Sequence, residues 1–404
     1  MGKGRRWVIL FVAGLLFWVS LSAFLPTLPL YVQDLGGSPT EIGLVMGSFA
    51  VGLLISRPAL AWLGDRWGYK LVLGVGMGSL VVAPLGYGLF PWIPVVMLLR
   101  GIQGISIAAF ATGYMALVAQ WAPPRQRGEV IGYMSLVNPI GMSLGPVLGE
   151  SLRLQAGYLW LFAVMGGIAA LGLLVLGSLT IDPEDELQGQ AGVFWELLGE
   201  ARIAVPTLVM FLVGLAFGTL TIFVAVFIPS TGSRLNGGWF YGVAALSSLV
   251  MRFVAGAGSD RWGRGIWISL CLGLGSGALL LLATANRDWQ FLLAAAVQGA
   301  GFGLIIPMFS AWVADRSQPR ERPRLLNLCT GGFDAGIAVA GPLAGSLVAG
   351  VGYRGTFVWA AGMGGVAWAV FALGGNRTLA DSLRFAFGRG PDTYAIHALK
   401  EAKG

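Results

Sequence analysis

A chain of 404 residues in which 56% of side chains are hydrophobic and only 11% charged is too apolar for a soluble globular protein, where about a quarter of residues carry charge, and it belongs in a bilayer. The formal charge of +7 does not point to nucleic acid, because the basic residues fall in short segments between apolar runs rather than on one patch. A single histidine, His397, and two cysteines buried in apolar sequence, Cys271 and Cys329, exclude histidine-based catalysis, a zinc site and a disulfide framework, so neither an enzyme nor a bound cofactor or metal is implied.

Twelve apolar runs of roughly 20 residues or more are expected, each able to cross a hydrocarbon core of about 30 Å. The first six lie near residues 7–31, 42–63, 71–90, 94–121, 130–149 and 156–181. The last six lie near 203–229, 239–258, 266–285, 289–314, 325–350 and 355–375. Backbone groups in lipid must be satisfied within the segment, so these are helices and the fold class is all-α integral membrane. The 63 glycines are spread through the runs, as expected where small residues let membrane helices approach closely.

The short basic start before the first span is not read as a cleaved signal, because the apolar stretch is too long and no small-residue cleavage site follows. Residues 182–202 form a polar linker carrying Asp182, Glu184, Asp185 and Glu186, with Phe194, Trp195, Leu197 and Leu198 suggesting a short helix on the membrane surface. The chain therefore divides into a first six-helix bundle at 1–181, the linker, a second bundle at 203–376 and a tail at 377–404. Phe385, Phe387, Arg384 and Arg389 give the tail the same membrane-surface reading. Lys and Arg crowd the loops that share a side with both termini, among them Arg5, Arg6, Arg66, Lys70, Arg125, Arg320 and Arg322, so both ends are expected in the cytoplasm of a protein of the cytoplasmic membrane.

The two halves repeat one another. Arg57 precedes Asp65-Arg66-Trp67-Gly68 by eight residues, and Arg252 precedes Asp260-Arg261-Trp262-Gly263 by the same spacing, 195 residues later. Gln103-Gly104 returns as Gln298-Gly299 and Gly157-Tyr158 as Gly352-Tyr353, both at 195. Gly145-Pro146 returns at 196 as Gly341-Pro342. Duplication over nearly half the chain is the mark of a repeat-built transporter with parallel halves, and the period is far too long for a solenoid.

The loop Gly64-Asp65-Arg66-Trp67-Gly68-Tyr69-Lys70 resembles the motif between the second and third helices of the major facilitator superfamily, with Tyr69 where a basic residue is usual. Arg100-Gly-Ile-Gln103-Gly104 resembles that family's fourth-helix motif, although only Gln298 survives at the equivalent place in the second half, where Ala295 stands for Arg100. Gly132, Gly141, Gly145, Pro146 and Gly149 are similar to the fifth-helix motif of its proton-coupled exporters, with Glu150 in place of the final glycine. Pro26 and Pro29 resemble the proline-rich end of the first helix in the same exporters. The resemblance covers every span and implies two pseudo-symmetric six-helix bundles that rock about a central site lined by the first, fourth, seventh and tenth spans.

A proton site would need an acid inside a span. Asp334 lies well inside the eleventh, with Glu150 near the end of the fifth a second candidate. The resemblance places the second and eleventh spans face to face, which implies an Arg57–Asp334 pair, with Arg252 and Asn138 as its counterpart, that protonation could break. Arg57, Gly64, Asp65, Arg66, Gly68, Lys70, Arg252, Asp260, Arg261, Gly145, Pro146 and Gly149 are the expected gating residues.

Ser20, Arg100, Gln103, Tyr114, Thr219, Phe223, Gln298 and Met308 are the expected cavity residues. An arginine inside a span is expensive and faces a bundle interior or watery cavity. Aromatic and Met lining suits amphipathic or lipophilic solutes. These features lead to proton-coupled efflux of a drug-like or metabolite solute by a monomer, with lipid, a small molecule and protons as partners. Transport of a sugar or of an organic anion held by Arg100 is the alternative, and a non-transporting sensor with the same fold is a third reading. Gly74-Val-Gly-Met-Gly and Gly273-Leu-Gly-Ser-Gly lie inside spans and lack a phosphate-binding lysine, so they are packing surfaces.

Overall fold

The computed structural model describes residues 3–123, 126–179, 200–318 and 321–396. Side chains of residues 3, 127, 201, 255–262, 323 and 324 lie outside that description. Most of the expected linker, including its surface helix, falls outside it, as do Arg125, Arg320 and the end of the tail.

Helix is the regular secondary structure of the described residues. Helices α1 (Lys3–Ser22) and α2 (Phe24–Asp34) make one apolar stretch that loosens at Ala23, where Pro26 cannot donate to the Ser22 carbonyl. Helix α3 (Pro39–Trp67) starts in a capping box: the Ser38 hydroxyl accepts from the Glu41 amide, and Glu41 accepts from the Ser38 amide at 2.8 Å. Helices α4 (Tyr69–Leu89), α5 (Ile93–Trp121), α6 (Arg127–Ser135) and α7 (Val137–Gly177) follow. The second half runs through α8 (Ala201–Ser230), α9 (Gly238–Trp262), α10 (Arg264–Thr284), α11 (Asp288–Asp315), α12 (Arg322–Gly374) and a short α13 (Leu379–Ala386).

Among the described residues nine helical stretches are long and apolar enough to cross a membrane, and Gly238–Val254 is a shorter apolar helix. Two of the nine, Gly128–Gly177 and Leu325–Gly374, are 50 residues long. That is about 75 Å at 1.5 Å per residue, against a core of about 30 Å, so each has length for two crossings. Each also breaks where a second crossing would begin, at Gly157 (φ 82°) and Gly352 (φ 73°). The protein is an all-α, multi-pass membrane protein.

The duplication is written in the backbone as well as in the sequence. Left-handed glycines occur at Gly36 and Gly232, Gly68 and Gly263, and Gly157 and Gly352, three pairs separated by 195 or 196 residues. A side chain at these φ values is strained, so the repeat preserves the residue that the backbone needs. Helix crossings repeat too. A methyl on Gly104 would overlap the Phe49 carbonyl, and one on Gly299 would overlap the Ala244 carbonyl, again 195 residues on.

The chain forms two compact units, Met1–Ala191 with Ile222–Gly242, and Gly192–Thr221 with Val243–Gly404. In the first, α1 packs on α7, α3 and α4 on α5, and α4 on α7, around a core that includes the stacked rings of Phe17, Phe110 and Tyr114. Residues 222–242 belong to this unit because Gly238 lies against the Pro146 carbonyl, where a Cβ would overlap, and the Tyr241 hydroxyl reaches the Leu25 carbonyl. In the second unit α10 packs on α11 and α12 around Phe309, Trp312 and Phe371.

Of the four tail residues expected at the membrane surface, Phe385 departs from that expectation. Helix α13 packs on α10 and α12, burying Ser382, Phe385 and Ala386, while Leu379, Arg384, Phe387 and Arg389 stay exposed. Its amphipathic pattern is satisfied by protein, because Gly265 offers α13 a bare backbone: a methyl there would overlap the Phe385 carbonyl.

Candidate functional site

Arg100 sits seven residues into α5, about 10 Å along the helix, and is 3% exposed. Its Nη1 donates to Gln103 Oε1 at 2.5 Å, the i, i+3 neighbour expected on that face. The same oxygen accepts from the Tyr87 hydroxyl at 3.0 Å, and the Tyr31 hydroxyl donates to the Tyr87 carbonyl at 2.8 Å. The guanidinium lies 4.5 Å from the Phe49 ring centroid. Tyr87, Tyr31 and Phe49 come from α4, α2 and α3, and no spacing along one helix could have revealed them.

Among the described residues no carboxylate pairs with Arg100, while its Nε and the Gln103 Nε2 are buried donors without an acceptor. Leaving a buried donor unmade costs about 1–3 kcal/mol. A cluster of one cation with two spare donors is therefore expensive as pure structure and has capacity left for an acceptor.

The exporter-like glycines of α7 form a ladder against α1 and α2. Methyls on Gly141, Gly145 and Gly149 would meet Trp18, Ser22 with Val19, and Ala23 respectively. The Ser22 hydroxyl donates to the Gly141 carbonyl at 2.9 Å across this seam. Glycine is needed here for backbone approach, as small residues are at membrane helix contacts. Pro146 follows in the ladder, its carbonyl against Gly238. Glu150, 3% exposed, is held by Arg153 in a fork, Nε to Oε2 at 2.9 Å and Nη2 to Oε1 at 2.6 Å.

In the loop motif Gly68 takes φ 85° and donates its amide to the Gly64 carbonyl, ending α3. Asp65 and Arg66 are exposed, with Arg66 5.7 Å from the Trp62 ring centroid. Lys70 Nζ reaches back to the end of α7 and donates to the carbonyls of Gly177, at 3.0 Å, and Leu179. It thereby caps a second helix, placing a cation where the helix dipole is negative.

The remaining expected site residues fall as follows. Ser20 and Tyr114 are buried in the first unit, where their hydroxyls donate to the carbonyls of Met165 and Met134. Thr219 is buried and donates to the Leu215 carbonyl of its own helix, and Phe223 is fully buried. In the second unit Met308 belongs to the apolar core, and the buried Gln298 Oε1 has no hydrogen-bond partner. Arg57, Arg252 and Asp334 are half-buried. The side chains of Asp260 and Arg261 lie outside the described residues.

The chain matches the family described as Major Facilitator Superfamily over residues 10–285 and again over 207–400. The quinolone resistance protein NorA of Staphylococcus aureus is 25% identical over 349 residues, covering 83% of this chain and 86% of that protein. Among solved structures, a point mutant of the nucleoside transporter NupG superposes with a TM-score of 0.79 at 15% identity, covering 91% of this chain and 99% of its own. The human organic anion transporter MFSD10 gives 0.66 at 18%, covering 92% and 99%. At such identities the two structures speak for the fold alone. With the family matched over nearly the whole chain in two overlapping stretches, the protein belongs to the Major Facilitator Superfamily and is a transporter, not an enzyme.

Proposed function

We propose that the protein is a proton-coupled exporter of drug-like or metabolite solutes. It works as a monomer in the cytoplasmic membrane by alternating access between bundles at 1–181 and 203–376, with both chain ends cytoplasmic. The observation that carries this reading is the glycine ladder of α7, in which Gly141, Gly145 and Gly149 seat the Pro146 turn against α1 and α2. That is the segment resembling the fifth-helix motif of proton-coupled exporters, and here its glycines are required by contact rather than by composition. A relative named for quinolone resistance supports a drug-like cargo. Protonation of Asp334, opening a pair with Arg57, supplies the coupling.

The test is uptake of a fluoroquinolone and of a lipophilic cation into inside-out vesicles under an imposed pH gradient. Accumulation that collapses with a protonophore, and that falls about tenfold or more in Asp334→Asn with binding retained, is expected. Accumulation that ignores the gradient would remove protons from the mechanism. A second reading, export of organic anions, is favoured by one observation, the buried Arg100 with no carboxylate beside it among the described residues. The same vesicles loaded with a panel of aromatic carboxylates separate the two.

A further inference from the structure

The second unit carries a polar cluster that the transport reading does not use. Arg316 caps the end of α11 and is 1% exposed, and Asp392, 76 residues later in the tail, is 7% exposed. Arg316 Nε donates to Asp392 Oδ2 at 2.7 Å and Nη2 to Oδ1 at 2.9 Å, a bidentate fork. Asp392 also accepts from the Trp312 indole at 2.8 Å and from the Tyr394 amide at 2.9 Å. The guanidinium centre is 4.1 Å from the Trp312 ring centroid and 5.0 Å from that of Tyr394.

The remaining donors of Arg316 reach two other parts of the chain. Nη2 donates to the Gly375 carbonyl at the end of α12, and Nη1 to the Arg202 carbonyl at 3.2 Å. Arg202 returns the contact, its Nη1 donating to the Arg316 carbonyl at 3.0 Å and to Glu321 at 3.1 Å. Arg202 is in the first turn of α8, where the chain arrives from the segment between the two halves. One side chain thus holds the entry of α8, the exit of α12 and the tail together.

The rest of the tail is fastened independently. Asn376 accepts from the Thr393 amide at 2.9 Å and donates its own amide to Ser382 at 2.8 Å, closing the segment into a loop, and Ser269 donates to the Ala386 carbonyl at 2.9 Å. A buried ion pair is weak evidence for stability as such, because desolvation offsets the attraction; what it fixes is position.

We propose that residues 376–396 are a strap, with Arg316–Asp392 as its clasp, whose closure sets where α8 begins. Opening the strap frees the start of α8, so a condition or partner that displaces the tail acts on the first turn of that helix.

Amide hydrogen exchange of the full-length protein in lipid nanodiscs tests this. In Asp392→Asn, exchange should quicken about tenfold or more at residues 203–208 as well as in the tail, with residues 8–15 of α1 unchanged. Quickening confined to residues 376–396, or none, overturns the proposal, and quickening everywhere, α1 included, overturns it as a general loss of stability. Should Asp392→Asn not accumulate, Tyr394→Leu, which uncovers one face of the guanidinium, should raise exchange at 203–208 by a smaller factor. No change there overturns the proposal equally.

Discussion

Arg100 and Arg316 are both buried to within a few per cent, yet their surroundings are opposite. Arg316 has a carboxylate fork, two backbone carbonyls and two aromatic faces. Arg100 has one glutamine oxygen, the Tyr87 hydroxyl, one phenyl ring and a spare Nε. The repeat does not account for either, since Ala295 stands 195 residues after Arg100 and Trp121 the same distance before Arg316. Each half therefore carries its own buried cation, one completed by the fold and one with donors to spare. A satisfied buried charge belongs to architecture, whereas the spare donors at Arg100 are what supports the proposed organic-anion reading.

The largest effect should come from Arg316→Met, which strands Asp392 beside the Trp312 indole and costs about 3–5 kcal/mol in reversible unfolding. Adding Asp392→Leu should restore most of it, and a double variant as unstable as the single would end the contrast. Arg100→Met should go the other way. Removing a buried cation with no counter-ion among the described residues is expected to be neutral or stabilising by about 1–4 kcal/mol while transport fails, so retained flux would reduce Arg100 to filler. The smallest effect belongs to Lys70→Met, where loss of a cation at the end of α7 should cost about 0.3–1 kcal/mol, more in low salt than in high.

The duplication was legible because it is carried by glycines with no substitute: Gly157 and Gly352 hold left-handed backbone, and Gly104 and Gly299 touch carbonyls. The Arg100–Gln103 contact was legible from spacing on one helix. What spacing gives is depth, not the direction a side chain faces. Ser20, Tyr114 and Thr219 lie within long apolar helices, but their hydroxyls turn to carbonyls within their own units. The tail escaped for a related reason. An amphipathic helix such as α13 reads the same whether its apolar face meets lipid or protein, and nothing local to Asp392 announces an arginine 76 residues earlier.

The breaks at Gly157 and Gly352 have a practical side. At each, two helices meet at a single residue in non-helical, left-handed backbone, with helix on either flank. A reporter tag, a protease site or an antibody epitope needs slack peptide, and at these two points the chain offers none. Probes of this protein belong instead in the irregular segments beside Gly36 and Gly232, where the chain already leaves its helices.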